Sequence, residues 1–198
     1  MPRNRRPRPS KPSSATQAPS QLRIIGGRWR GRKVAFAPIE GLRPTGDRLR
    51  ETLFNWLQFH LPAARCLDLF AGSGALGLEA LSRGAAHVDF VELDGGAART
   101  LREQLKLLQA DEGEVHNCAA EVFTSQGGPA YDVVFVDPPF ARDLWAATLN
   151  ALVQSQRLGD GTLVYVESPR DTVIAAPEGW QLEKEKRAGQ VSMRLYRV

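Results

Sequence analysis

From Cys66 to its C-terminus this chain alternates short apolar runs with amphipathic stretches, and no other feature constrains the fold as much. The apolar runs predict strands at Cys66–Phe70, His87–Glu92, Glu114–Cys118, Tyr131–Asp137 and Thr162–Glu167. Helical periodicity between them predicts helices near Ala75–Arg83, Gly95–Gln109 and Leu144–Gln154, with a weaker one after Ala120. Such alternation implies an α/β fold: a mostly parallel sheet with helices on both faces. The last stretch, Gln181–Ala188 and Gln190–Val198, pivots on Gly189 and predicts a C-terminal antiparallel hairpin.

Ahead of this unit the composition changes. Residues 1–21 are rich in Pro, Ser and Arg, too poor in apolar side chains for a core, and read as a disordered basic tail. Residues 22–41 predict a basic N-terminal β-hairpin, with strands at Leu22–Ile25 and near Lys33–Phe36 around a glycine turn. The α/β domain then occupies residues 42–198. Its first helix starts at Asp47, with Leu49, Leu53 and Leu57 on one apolar stripe and Arg48, Arg50 and Asn55 off it.

Charge divides the chain in the same way. Residues 1–20 carry five basic side chains and no acid, residues 21–50 carry eight basic and two acidic, and the remainder sums to −7. A basic segment on an acidic body suits contact with a polyanion. At the hairpin tip Arg28, Trp29, Arg30, Arg32 and Lys33 interleave cations with an aromatic, which suits phosphate contact and base stacking, and Arg43 and Arg48 extend the RNA-contact set. Cys66 and Cys118 give neither a disulfide framework nor a metal cluster, and His60, His87 and His116 are scattered, so no metal is expected. With no apolar run long enough to span a membrane and no signal-peptide core, the expectation is a cytoplasmic, monomeric protein.

Two segments carry chemistry. Asp68-Leu69-Phe70-Ala71-Gly72-Ser73-Gly74-Ala75-Leu76-Gly77 runs from strand into helix and contains a G-x-G-x-x-G at Gly72, Gly74 and Gly77, with Glu92 twenty residues beyond Gly72. That spacing is the dinucleotide fingerprint. However, Asp68 would repel a pyrophosphate and welcome a cation, such as the methionine end of S-adenosylmethionine. In this reading the glycines let the backbone approach the ligand, and Glu92 bonds ribose hydroxyls. The second segment is Asp137-Pro138-Pro139-Phe140, at the end of the run Val133–Val136. The prolines stiffen the loop. Asp137 and the Pro138 carbonyl are acceptors, and Phe140 is a flat face, which together suit a planar base with an exocyclic amine. Neither cysteine looks nucleophilic, since free Cys is commonly a small buried hydrophobe.

The tetrapeptide resembles the catalytic loop of S-adenosylmethionine-dependent amino methyltransferases. Across Leu22–Val198 the chain resembles the RsmD family of small-subunit (16S) ribosomal RNA guanine-N2 methyltransferases. The segments that carry this are Arg23-Ile24-Ile25-Gly26-Gly27 with Arg30-Gly31, Arg43-Pro44-Thr45-Gly46-Asp47-Arg48-Leu49-Arg50-Glu51, the Asp68–Gly77 loop and Asp137–Phe140. The resemblance implies a Rossmann-like methyltransferase fold and S-adenosylmethionine as cofactor. It implies one guanine of 16S rRNA in the small subunit or its assembly intermediate as target. It assigns cofactor contacts to Asp68, Phe70, Ala71, Gly72, Ser73, Gly74, Gly77, Glu92 and Ala120, and catalysis to Asp137, Pro138, Pro139 and Phe140. One departure stands out: where relatives place an Asp for the cofactor's adenine amine, this chain has Ala119, after Cys118. Competing readings are a DNA adenine-N6 methyltransferase, an NAD-dependent oxidoreductase, and a non-catalytic RNA-binding assembly factor.

Overall fold

A computed structural model describes residues 20–36 and 46–198 of the chain. Residues 1–19 of the expected tail and Arg43 lie outside the described residues, while Ser20 and Gln21, expected as the end of that tail, instead begin a strand by pairing with Phe36 and Ala35. The basic segment forms an antiparallel hairpin, β1 (Ser20–Arg23) with β2 (Lys33–Phe36), linked through a short 3-10 turn at Gly27–Trp29. Helix α1 (Asp47–Trp56) follows.

The body alternates as its sequence pattern dictates. It runs β3 (Arg65–Asp68), α2 (Ala75–Ser82), β4 (His87–Val91), α3 (Gly95–Leu108), β5 (Gly113–His116), α4 (Ala120–Ser125), β6 (Tyr131–Val136), α5 (Trp145–Gln154) and β7 (Leu158–Pro169). The chain ends in the hairpin β8 (Gln181–Ala188) and β9 (Val191–Arg197). The sheet order is β5-β4-β3-β6-β7-β9-β8, with β3 to β7 parallel and β8 and β9 antiparallel at one side. The chain steps outward from β3 in one direction and from β6 in the other. The switch point is therefore the gap between β3 and β6, where open α/β sheets bind ligands at the C-terminal strand ends.

Both faces are covered. On β6, Val133 and Phe135 enter one core with Leu53 and Phe54 of α1, Leu78 of α2 and Leu101 of α3. Val134 and Val136 enter the other with Phe123 of α4 and Leu149 of α5. Two-sided burial explains why these strands read as continuous apolar runs.

The hairpin is bound to the body by a device the sequence pattern missed. Glu79 of α2, 0% exposed, accepts the backbone N–H groups of Ile25 (2.8 Å) and Gly26 (2.7 Å) and the Arg83 Nε (2.7 Å). Arg50, expected off the apolar stripe of α1, is instead fully buried: it lies 3.7 Å from Glu79 and donates to the Arg23 carbonyl and to Asp47. The correction has a simple cause. The face of α1 toward the hairpin is as enclosed as the apolar stripe, and a buried carboxylate requires a cation beside it. Gly27 makes the close approach possible, because a Cβ there would stand 1.8 Å from the Ser82 carbonyl oxygen, and its φ of +73° favours glycine.

Candidate active site

Asp68 ends β3 with its side chain 2% exposed, and its Oδ2 accepts the Gly77 N–H at 2.9 Å. One carboxylate thus ties the strand end to the first turn of α2. Burial pushes the Asp68 carboxyl up to about 7; the Gly77 N–H opposes the shift and the charge of Glu92 adds to it. Between them the glycine loop turns through Gly72 (φ +52°) and Gly74 (φ +77°), and Ala71 N–H reaches across to the Val91 carbonyl at 2.9 Å. Gly77 has a different reason to be glycine: a Cβ would stand 2.1 Å from Phe90 Cε1, so α2 lies directly on β4. Phe70 is half-buried, while Ala71 and Ser73 are buried under the loop.

Glu92, just past β4, accepts the Gly72 N–H (2.7 Å) and the Asp94 N–H (2.6 Å). Asp94 in turn caps α3 by accepting from Ala97 at 2.7 Å. Asn117 donates to the Glu92 and Leu93 carbonyls at 2.8 and 3.0 Å and so fixes the segment after β4. The Leu93 side chain is 58% exposed. Ala119 occupies the N-cap of α4 without a side-chain cap bond, and Ala120 is buried behind it. An Asp at position 119 would cap this helix, and Ala119 does not.

Asp137 follows β6, on the strand adjacent to β3 and on the same face as Asp68. It is half-buried, with Pro138 buried and Pro139 exposed beside it. Phe140 is 39% exposed and leans against Trp145 of α5, ring centroids 5.8 Å apart. Trp145 is fixed in turn by its Nε1–H donating to the Glu167 carbonyl at 2.8 Å. The aromatic face is therefore backed by a second ring.

The hairpin differs from its expectation. Trp29 is 7% exposed, its backbone N–H donates to Ser82 Oγ, and its ring lies in the core, so it is not presented for base stacking. Arg28 stacks over that ring at 4.1 Å and makes a two-point contact with Glu112 (2.9 and 3.0 Å). Arg28 also holds the Glu112 carboxyl below its usual range. Both residues thus fasten the hairpin, because cation–π stacking and ion pairing satisfy a tip pressed onto the body. Arg32 reaches the Leu107 carbonyl at 3.3 Å, while Arg30, Lys33 and Arg48 are exposed. An open cleft of about 360 Å³ between hairpin and α1 brings Arg23 and Lys33 beside Asp47 and Arg50. A comparable cleft, about 350 Å³, lies at the opposite ends of the strands around His60, Asp132 and Thr162, away from Asp68, Glu92 and Asp137.

The histidines are also less scattered than their spacing suggests. His116 (2.8 Å) and His87 (3.2 Å) converge on Asp89 Oδ1, because β4 and β5 are neighbours. Burial pushes the Asp89 carboxyl up, but hydrogen bonds from His116, Tyr131 and His87 outweigh it and hold the group below its usual range. His87, Asp89 and Glu114 bring ligand-type atoms within 4.8 Å of one another. The Arg65 guanidinium, 2.8 Å from Asp89 Oδ2, already supplies the cation there.

The sequence and fold have counterparts among known proteins. A family model described as conserved hypothetical protein 95 matches residues 22–197. The ribosomal RNA small subunit methyltransferase D of Escherichia coli (strain K12) is 50% identical over 177 residues, covering 89% of each chain. The Haemophilus influenzae protein of that name is 47% identical over 183 residues, covering 90% of this chain and 95% of its own. Among solved structures, the Escherichia coli methyltransferase yhhF superposes with a TM-score of 0.81 at 50% identity, covering 90% of this chain and 98% of that one.

Proposed function

This chain belongs to the RsmD family, and on that premise we propose that it methylates the exocyclic N2 of one guanine in 16S rRNA, using S-adenosylmethionine. One observation carries the reading. The Asp137–Phe140 loop and the Asp68–Gly77 loop leave neighbouring strands, β6 and β3, at the switch point of the sheet.

The residues present fit the cofactor. Asp68 is a buried carboxylate whose ionised form gains from a cation, matching the methionine end. Glu92 suits ribose hydroxyls, the positive-φ Gly72 and Gly74 admit close backbone approach, and the exposed Leu93 with Ala119 and Ala120 makes an apolar wall for adenine. When bound, S-adenosylmethionine supplies a methyl group made electrophilic by its sulfonium.

The chain's own task is to orient a poor nucleophile. The guanine amino lone pair is delocalised into the ring. Acceptors at Asp137 and the Pro138 carbonyl hold the amine hydrogens and turn that lone pair toward the donor, while Phe140, backed by Trp145, stacks on the ring. Orientation of this kind is worth roughly 7–11 kcal/mol of barrier. Asp137 need not deprotonate the neutral amine: it takes the proton after the nitrogen has become cationic. The base reaches the loop unstacked, and stacking on Phe140, about 1–3 kcal/mol, offsets part of that cost.

The substrate form is the small ribosomal subunit or an assembly intermediate, the protein acts as a monomer in the cytoplasm, and Arg30, Lys33, Arg43 and Arg48 contact phosphates. The test is transfer of labelled methyl to small subunits lacking the modification, beside naked RNA and duplex DNA, followed by nucleoside analysis. N2-methylguanosine formed with the ribosomal substrate supports the reading. Methyladenine in DNA would replace the substrate, and no transfer to any of them would return the protein to a binding role.

A further inference from the structure

Methyl transfer leaves the polar array on β4 and β5 without a task. His87 and Asp89 alternate along β4, Glu114 and His116 along β5, and the parallel register sets Asp89 opposite Glu114. Residues two apart on a strand share a face. All four side chains therefore project on the side of Val91, which packs with Phe123 of α4. Asp89 divides its two oxygens between different partners. Oδ2 accepts from the Tyr131 hydroxyl and from the Arg65 guanidinium, both at 2.8 Å. Oδ1 pairs with His116 Nε2 at 2.8 Å and faces His87 Nε2 at 3.2 Å. The His87 nitrogen is sealed from solvent, and its approach to Asp89 is not directed as a full hydrogen bond is. Glu114, exposed on the edge strand β5, brings a carboxylate oxygen within 4.8 Å of both the imidazole nitrogen and Asp89.

We propose that His87, Asp89 and Glu114 form a binding site for a divalent transition metal of the zinc type. His87 Nε2, Asp89 Oδ1 and one Glu114 oxygen are the ligands, and water completes a four-coordinate shell. Zinc bonds of about 2.0–2.2 Å put tetrahedral donors about 3.4 Å apart. The 3.2 Å between His87 and Asp89 already matches, and rotation of the exposed Glu114 side chain closes the remainder. An imidazole beside carboxylates selects zinc over magnesium and calcium, which take oxygen ligands. Tyr131, Arg65 and His116 hold the Asp89 carboxylate in place, the outer support that a metal-binding carboxylate needs. Two carboxylates balance the ion's charge, and the Arg65 guanidinium stays on Oδ2, off the ligand oxygen. His87 begins β4, whereas Glu92 lies past the strand's other end. The ion therefore ties the edge strand to its neighbour and takes no part in methyl transfer.

The probe is zinc chloride, titrated calorimetrically into the full chain at a pH of about 7.5, where an imidazole of ordinary pKa about 6.5 is neutral. Thermal unfolding is followed with and without the ion, magnesium is the comparison, and the proteins are wild type, His87→Gln and Glu114→Gln. Glu114 is exposed, so its variant keeps the fold even if His87→Gln does not. Wild type is expected to bind one zinc per chain at this site and to unfold at a higher Tm with the ion present. Each variant should bind that zinc at least about 10- to 100-fold more weakly, since losing even an outer-shell partner costs that much, and the rise in Tm should disappear. Zinc held with unchanged affinity in Glu114→Gln, or in a folded His87→Gln, places the ion elsewhere and overturns the proposal. Absence of saturable binding to wild type overturns it as well. Magnesium bound as tightly as zinc overturns the zinc-type assignment.

Discussion

Lowering the pH from 7.0 to 5.5 is expected to weaken S-adenosylmethionine binding about 15-fold through Asp68 alone. Burial pushes this carboxyl up to about 7, so near neutrality about half of the ligand-free molecules carry it protonated. A cation set against the group binds the ionised form, and affinity therefore follows the ionised fraction. With a pKa of about 7 that fraction falls from about one half at pH 7.0 to about 3% at pH 5.5. The window stops at pH 7.0 because an α-amino group begins to lose its proton at about 7.7–8.0. The sign is opposite for folding. A carboxyl raised above its unfolded value contributes stability that is complete below pH of about 3.9 and is lost as pH rises through about 7. Binding thus gains from the ionisation that costs the ligand-free fold. Calorimetric titration at pH 5.5, 6.0, 6.5 and 7.0, in buffers of different ionisation enthalpy, measures both affinity and protons released. About half a proton should leave per binding event at pH 7.0. Asp68→Asn, which keeps an acceptor for the Gly77 N–H, should abolish the slope. Affinity flat within twofold across the window, or an equal slope in Asp68→Asn, would refute the reasoning.

Other perturbations follow from single contacts. Gly77→Ala drives a Cβ into the immobile Phe90 ring, so a loss of about 1–3 kcal/mol in denaturant unfolding is expected, with weaker cofactor binding as α2 shifts from the loop. Glu79→Ala leaves the buried Arg50 charge and the Ile25 and Gly26 N–H groups without their carboxylate. It should cost about 3–5 kcal/mol and accelerate hydrogen exchange in the hairpin before the central strands. Asp89→Asn tests the polar hub on β4. Since Asp89 is held below its usual range, its contribution is present above pH of about 3.9 and is lost as pH falls through its folded value. The stability gap to the variant should therefore shrink as pH falls below about 3.9.

Much of this architecture was legible because local rules and tertiary context agree. Val133–Val136 reads as a buried strand, and it is one, since both faces of β6 are covered. The acids Asp68, Glu92 and Asp137 interrupt or follow apolar runs, and parallel topology then gathers such positions at one sheet edge. What stayed hidden depends on partners distant in sequence. Arg50 falls off the apolar stripe of its helix, and only the docked hairpin makes that face interior. Trp29 among cations looks like a base-stacking ring, yet glycines at 26 and 27 bring it down onto α2, where burial outweighs exposure.

The central claim is that the Asp137 loop positions a nitrogen for methyl transfer. Single-turnover transfer to small subunits at saturating S-adenosylmethionine, with cofactor affinity measured alongside, tests it most directly in wild type and Asp137→Ala. The account predicts cofactor affinity within about twofold of wild type and transfer slower by roughly 100-fold or more, as expected when an orienting acceptor is lost. Near-normal transfer by Asp137→Ala with intact cofactor affinity would contradict it.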